Sequence, residues 1–463
     1  MFHLITCKRK MKKFLNISLL ALVALSVASL SSCKNEVDDI FDDDAIIRMN
    51  NAMDQYTDLL TSNGGKWQLE YYSNTEEPGY TYVLTFDKDG TVVMSGHNKW
   101  INYIKNNTLS NSAFGSMRSM WDVIGDNGLV LTFNSYNDYF HLFSTPDAIP
   151  TAGGTMTNGG GSTAGTGHEG DYEFNLMKYS GDTIYMTGKK YNLHMIMTRL
   201  PGDTDDEAYL NEVALQNKTV FTSKLPYVFI VLPNGVRYVA KSAASGNMKI
   251  YREGEDEIMT SEYHNLIVTH DGMAFRDRIV LDGYPMQRFV RQADGTLLSV
   301  EDNQTIITAD PLAACIGNIA LSWKNDLKNQ IGGSYPDMIT QINTELKKVN
   351  SKLSLNDAQI SYVDSLSCYA LTLRIKQSAQ VQFPSMFYFQ IASSNGNQMK
   401  MAFDGTRNGY ADRYASRCPA LDEFINILNA TTFDLTSASL LAPTEIKMTD
   451  SSNKENFMSW TLQ

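Results

Sequence analysis

Short strands of alternating apolar and polar residues recur along this chain, separated by Asp-Gly and Asn-Gly pairs. TYVLTF and TVVMSG, for example, are joined through Asp87-Lys88-Asp89-Gly90. Glycine after Asp or Asn readily adopts the positive φ of a tight hairpin turn, so this pattern strongly indicates antiparallel pairing. The turns recur without a fixed period, which argues against a propeller or a solenoid. The chain is therefore predicted to be mainly β.

Changes in pattern divide the chain after its first 44 residues. Residues 45–200 begin with an amphipathic helix and continue as an antiparallel barrel or sandwich. Residues 201–217, opening with PGDTDDE, are predicted to be an acidic linker, and residues 218–312 a second antiparallel β unit. Residues 313–463 read as a mixed α+β region. We expect this region to pack on the second β unit, because 150 residues of mixed pattern bury little alone.

Within residues 313–463, helical and strand spacings alternate. Helices are predicted for ACIGNIALSWKNDLKNQI, YPDMITQINTELKKVN and CPALDEFINILNA, and strands for YALTLRIKQ, MFYFQIAS and QMKMAFDG. The three cysteines of this region are Cys315, Cys368 and Cys418. One disulfide between Cys368 and Cys418 and three buried free thiols are both compatible with the sequence.

Two short motifs bear on residues 45–200. Gly65-Lys66-Trp67 opens the first strand and resembles the Gly-x-Trp of lipocalin-type barrels, while a sandwich remains the alternative. TAGGTMTNGGGSTAGTG, from Thr151 to Gly167, is predicted to be a surface loop. It is not a phosphate-binding loop, because the sequence G-x-x-x-x-G-K-[ST] does not occur there.

The first 44 residues predict export and anchoring. Basic residues between Lys8 and Lys13 precede an uncharged apolar run, and residues 1–32 are interpreted as a signal peptide. Leu30-Ser31-Ser32-Cys33 resembles the bacterial lipobox, so we expect lipidation, including palmitate, at Cys33; plain secretion with a free thiol is the alternative. Residues 33–44 carry six acidic residues and one basic residue and are predicted to be a solvated tether.

Charge and motifs exclude several activities. Without residues 1–32 the chain has 34 basic and 51 acidic residues, a net charge of −17, so we expect no nucleic-acid partner. HExxH is absent because Tyr172 stands four positions after His168, and His264 and His270 lack an identifiable third ligand. No nucleophile elbow occurs. We therefore predict no catalytic residue, metal or cofactor.

Aromatic residues supply the candidate binding site. Trp100 and Trp121 lie in a segment predicted to be a loop between hairpins, and Tyr136 and Tyr139 follow shortly after it. Aromatic side chains flanked by Asn and Ser suit stacking on sugar rings or peptide groups, with amides bonding to hydroxyls. The alternative is that these aromatic residues close one end of a barrel.

Several of these features occur together in a known family. The lipobox, the acidic tether, DDIFDDDAIIRMNNAMDQYTDLLTSNGGKWQLEYY, the GYTYVLTFDKDGTV hairpin and the GKKYNLHMIMTRL strand resemble Gram-negative surface lipoproteins that contain a domain of unknown function. The resemblance implies a surface-exposed protein of the cell outer membrane. It also implies a non-catalytic accessory role beside starch-utilisation-like uptake systems, with a transporter complex as partner and a glycan or peptide as ligand. A hydrolase with an unrecognised carboxylate site and a structural, partner-docking envelope protein remain alternatives.

Overall fold

The computed structural model describes residues 44–145, 148–150, 168–220, 228–242, 246–317, 321–393 and 396–463. The predicted signal peptide, Cys33, nearly all of the tether and the glycine-rich segment lie outside these residues. Strands account for 43% of the chain and helices for 24%, and the antiparallel sheets form barrel-like units, so the predicted mainly β fold is confirmed. One compact unit, Tyr56–Gln463, contains the three sheets formed by the described residues.

The described residues of the first sheet form nine strands. They are β1 (Lys66–Tyr71), β2 (Tyr80–Phe86), β3 (Thr91–Asn98), β4 (Ala113–Met120), β5 (Asp122–Asp126), β6 (Gly128–Thr132), β7 (Glu173–Ser180), β8 (Thr183–Gly188) and β9 (His194–Arg199). Their order is β4-β3-β2-β1-β9-β8-β7-β6-β5. Only Trp121 separates the edge strands β4 and β5 along the chain, so the two edges meet and the sheet curls into a barrel-like unit, the first barrel.

The second sheet repeats this topology. Its strands are β10 (Val228–Val231), β11 (Arg237–Ser242), β12 (Met248–Arg252), β13 (Glu262–His264), β14 (Leu266–Val268), β15 (Gly272–Leu281), β16 (Tyr284–Arg291), β17 (Leu297–Ser299) and β18 (Ile306–Ala309). The order is β13-β12-β11-β10-β18-β17-β16-β15-β14. Asn265 alone separates the two edge strands, as Trp121 does in the first sheet. This unit is called the second barrel.

The third sheet closes differently. Its strands are β19 (Ser322–Asp326), β20 (Ile331–Gly332), β21 (Ser354–Val363), β22 (Cys368–Lys376), β23 (Gln382–Ser393), β24 (Gln398–Arg407), β25 (Thr432–Thr436), β26 (Glu445–Asp450) and β27 (Phe457–Leu462). β19 pairs with both β21 and β27, which links the two ends of the meander and makes the third barrel.

Eight α-helices accompany these sheets in the described part of the chain. They are α1 (Ala45–Thr61), α2 (Lys99–Asn106), α3 (Asp206–Val220), α4 (Glu257–Thr260), α5 (Leu312–Ile316), α6 (Tyr335–Val349), α7 (Gly409–Ala415) and α8 (Pro419–Ala430). The amphipathic stripes of α6 and α8 contribute Ile342, Leu346 and Phe424 to the core of the third barrel. None of these helices is long and apolar enough to cross a bilayer.

Some local predictions differ from the structure. α3 occupies most of the segment predicted to be an acidic linker, because Leu210 and Val213 give that segment an apolar side that is buried. The predicted helix ACIGNIALSWKNDLKNQI is wrong from Ser322 onward: Ser322–Asp326 is strand β19, in which buried and part-exposed residues alternate. All three cysteines of this region are buried free thiols, so the disulfide alternative is excluded.

Candidate functional site

A cavity of about 400 Å³ lies between the first and second barrels. Its walls come from the start of β2, the end of β3, the first residue of α2, the segment 110–112, one side of α3 and the end of β14. The volume falls in the range of sites for small ligands, which are commonly about 300–1,000 Å³. We call this space the inter-barrel cavity.

Direct bonds between the barrels fix the position of the cavity. The Gly79 amide donates to the carbonyl of Leu266 at 2.8 Å. Thr81 Oγ1 donates to the carbonyl of Val268 at 2.7 Å. A Cβ atom at Gly79 would lie 2.8 Å from the side chain of Ile267, so only glycine allows this approach of β2 to β14. The two walls are therefore held together by backbone as well as side-chain contacts.

A salt bridge supports the same joint. Arg288 Nη2 of the second barrel lies 2.6 Å from Glu70 Oε1 of the first, and the Glu70 side chain is almost fully buried. Burial raises the pKa of Glu70, and the charge and hydrogen bond of Arg288 partly offset this effect. Loss of Arg288 would leave a buried carboxylate without its cation, which makes this pair a strong determinant of how the barrels join.

The described lining of the cavity is basic. It includes His97, Lys99 and Lys218 but no Asp or Glu. Lys99 is the first residue of α2, and its Nζ lies 4.6 Å from the ring centroid of Trp100. Burial lowers the pKa of Lys99, although the charge of Glu77 acts in the opposite direction. Burial also lowers the pKa of His97, whose Nδ1 lies 2.8 Å from Asn211 Oδ1.

A cluster of hydrogen-bonded polar groups, which includes the indole of Trp100, lies next to Lys99. Trp100 Nε1 donates to the hydroxyl of Tyr80 at 2.6 Å, and that hydroxyl donates to Glu77 Oε2 at 3.0 Å. Glu77 Oε1 contacts His168 Nδ1 and accepts a hydrogen bond from Asn74 Nδ2 at 3.2 Å. Burial, followed by the charge of Glu77, raises the pKa of Tyr80 well above its usual value. We use the name Glu77 cluster for Asn74, Glu77, Tyr80, Trp100 and His168.

The Glu77 cluster fixes the orientation of the Trp100 ring. The ring also meets the imidazole of His168 edge-on, with centroids 4.7 Å apart. Asn98 caps α2 by accepting from the amides of Trp100 and Ile101 at 2.9 Å each. These contacts hold the ring in the position where it supports the ammonium group of Lys99.

The four aromatic residues proposed from the sequence lie in different surroundings. The segment expected to be a loop contains α2 and β4. Trp100 and Trp121 are only 4% and 5% exposed, so neither ring presents a face to a ligand in this arrangement. Tyr136 is 53% exposed and tilts over His141, while Tyr139 is part-buried. None of the four lines the inter-barrel cavity.

Trp121 has a structural role at the corner between β4 and β5. Its ring packs edge-on against Phe86, with centroids 4.9 Å apart, and its Nε1 donates to the carbonyl of Thr91 at 2.9 Å. The backbone amide of Trp121 donates to the carbonyl of Gly90 at 2.9 Å. These contacts tie the closing edge of the first barrel to the turn between β2 and β3.

Sequence reasoning missed the basic lining of the cavity. Its residues come from separate segments between Pro78 and Val268, and no local spacing connects them. The one local signal was Asn98 before Lys99-Trp100, which is a helix N-cap pattern. Within the described residues, no three His, Cys, Asp or Glu side chains converge as metal ligands.

Comparison with known proteins places the chain in a family. Residues 37–293 match the model of a family described as a domain of unknown function (DUF4302). This match covers more than half of the chain, so the protein belongs to that family. No curated protein matches the sequence. Every residue that lines the inter-barrel cavity lies inside the matched range.

Proposed function

We propose that this protein is a non-catalytic, lipid-anchored binding protein of the cell envelope that holds a small polar ligand in the inter-barrel cavity. The observation that carries the proposal is the cavity itself. It has the volume of a ligand site, and hydroxyl and amide side chains are prominent in its lining, including those of Ser112, Asn217 and Ser242. Such groups bond to the hydroxyls of a glycan or to the amides of a peptide.

The proposal includes attachment through Cys33 to the outer membrane, with the protein body facing outward as an accessory to nutrient uptake. The support is the basic segment, apolar run and lipobox, in that order, followed by the acidic tether. Two or three acyl chains give stable attachment where one chain gives only reversible binding. A transporter complex of the outer membrane is the proposed partner.

Binding is tested by calorimetry on the full chain with a panel of oligosaccharides and peptides. Ala214→Trp places an indole in the cavity and is expected to abolish binding. Ala208→Trp is the matched control, because Ala208 is an exposed residue of the same helix outside the cavity. Equal affinity in both variants would contradict the proposed location of the site.

Anchoring is tested by labelling cells with radioactive palmitate. The wild-type chain is expected to incorporate the label, and Cys33→Ser is expected to remove it and release the protein from the membrane fraction. Label that persists in Cys33→Ser would contradict the anchor. Conversion of a ligand would favour the hydrolase alternative, while stable co-purification with a transporter but no binding of any panel ligand would favour a docking protein.

A further inference from the structure

We propose that the ligand of the inter-barrel cavity is an acidic sugar whose carboxylate is bound by Lys99. This inference rests on the proposed function and specifies the chemistry of the same site. The charge of the cavity lining contrasts with that of the whole chain. The whole chain has a net charge of −12, yet the described lining of the cavity contains two lysines, a histidine and no carboxylate. A basic lining in an acidic protein concentrates anions at that place.

Lys99 differs from the other cations at the barrel joint. Lys66 Nζ lies 2.7 Å from Asp206, and Arg288 lies 2.6 Å from Glu70. Among the ion pairs of the described residues, Lys99 has no carboxylate partner; its ammonium faces the Trp100 ring instead. The charge of Glu77 acts on Lys99 without an ion-pair contact, so this part-buried ammonium, supported by an aromatic ring, can accept a carboxylate from a ligand.

The helix that carries Lys99 adds to the positive potential. α2 has eight residues, and its N-terminal end, at Asn98 and Lys99, forms part of the cavity wall. The helix dipole places partial positive charge at this end, where anions are stabilised. Lys218, an exposed residue of α3, also lines the cavity, so α3 adds a second positive charge to the lining.

The remaining lining favours a sugar over a peptide. Hydroxyl and amide groups such as Ser112 and Asn217 both donate and accept, as sugar hydroxyls do, and the part-exposed Pro78 and Ala214 offer apolar surface to the C–H face of a ring. A peptide added as a strand would need a free sheet edge. β2 and β3 are paired on both sides, and the carbonyls of Leu266 and Val268 on β14 already accept bonds from Gly79 and Thr81.

The experiment is calorimetry on the full chain with a galacturonic-acid trisaccharide, the matching neutral galactose trisaccharide and an acidic tripeptide. The wild type is expected to bind the acidic trisaccharide in preference to the other two, with an affinity that falls as salt rises. Lys99→Met keeps the apolar stem and is expected to weaken this binding by about tenfold or more, because a hydrogen bond between charged groups is lost.

Lys178→Met is the matched control, since Lys178 is exposed and its ammonium lies 4.8 Å from the ring centroid of Tyr185, away from the cavity. Lys99→Arg keeps the charge and is expected to retain the preference, and near-ultraviolet circular dichroism verifies the fold of each variant. Equal affinity for the acidic and neutral trisaccharides would overturn the acidic-sugar inference while leaving the proposed function intact. Preference for the tripeptide would overturn the sugar assignment. Failure to bind any oligosaccharide or peptide would overturn the proposed function itself.

Discussion

The first and third barrels use their interiors in different ways. The third has a large apolar core in which Trp323, Leu355 and Ile360 pack beneath α6 and α8. In the first, buried tyrosines and tryptophans are joined to buried polar groups, as in the Glu77 cluster next to the inter-barrel cavity. Apolar burial stabilises a fold without requiring particular bond directions. A buried polar cluster, in contrast, stabilises the fold only when each polar group has its hydrogen-bond partner. The first barrel also buries apolar residues such as Leu69 and Leu84, and its polar cluster in addition orients specific groups.

Truncation in the core of the third barrel should have the largest effect. Trp323 is fully buried, and its Nε1 donates to the carbonyl of Cys315 at 2.8 Å. Trp323→Ala is expected to lower the free energy of unfolding by about 3–5 kcal/mol, since a cavity remains where the indole was. Urea denaturation measures this change, with Leu366→Ala at an exposed position as control. A loss in the free energy of unfolding smaller than that of Leu366→Ala would contradict the stabilising role of the apolar core in the third barrel.

Substitution in the Glu77 cluster should have the second largest effect. Glu77→Gln keeps the size of the side chain but removes the charge that faces His168 and Tyr80. The expected loss in the free energy of unfolding is about 1–3 kcal/mol, because buried polar groups lose a partner. Glu76→Gln, at the exposed neighbouring position, serves as the control in the same denaturation experiment. Equal stability of the two variants would mean that the cluster contributes nothing to the first barrel.

Alkaline pH should lower the free energy of unfolding through a buried thiol of the third barrel. Burial raises the pKa of Cys418 from 9.0 to about 12. Cys418→Ala is expected to cost about 1 kcal/mol at pH 7, through lost apolar burial. As the pH rises above 9, the unfolded wild type releases this proton while the folded form keeps it, so the wild type loses stability that the variant does not. The difference between the two unfolding free energies should therefore narrow above pH 9 and change sign before pH 12, because each unit of pKa difference is worth about 1.4 kcal/mol. A constant difference would contradict the burial effect.

A surface ion pair of the first barrel should have the smallest effect. Lys88 Nζ lies 3.1 Å from Asp58 Oδ1, and both side chains are 74% exposed. Lys88→Gln is expected to change the free energy of unfolding by less than about 0.5 kcal/mol, because water and salt screen such pairs. Thermal denaturation at low and high salt checks this value. A loss comparable to that of Glu77→Gln would show that exposed charges contribute as much as the buried cluster.

Local features of the fold could be predicted because their physical causes are local. Gly90, Gly235 and Gly295 have φ near +80°, as the Asp-Gly and Asn-Gly turns require, and the spacing of α6 follows from its own apolar residues. α3 was missed because its first residues continue an acidic run, although a helix tolerates acids in its first turn. The pairings β1–β9, β10–β18 and β19–β27 join strands that are distant in the sequence, and no local pattern encodes them.

The sequence predicts less of the candidate site than of the fold. The sequence around Trp100 suggests an aromatic residue for ligand contact, but the structure buries its ring beside Lys99. Exposure depends on what a residue meets in space, and for Trp100 that is His168, which follows it by almost seventy positions. Likewise, no sequence pattern predicts that Lys99 and Lys218 line the same cavity, because they are distant in the sequence.

The order of strands in the first two sheets has a consequence for the speed of folding. Most strands that are neighbours in these sheets are also consecutive in the chain, so they form hairpins as soon as both strands have been synthesised. β1, however, pairs with β9, and β10 with β18, so the centre of each sheet is completed only when its last strand arrives. Such distant pairing slows folding, typically to milliseconds or longer. Until then, β1 and β10 each keep an open edge that could join another chain, so the interval before closure is when this protein is most exposed to aggregation.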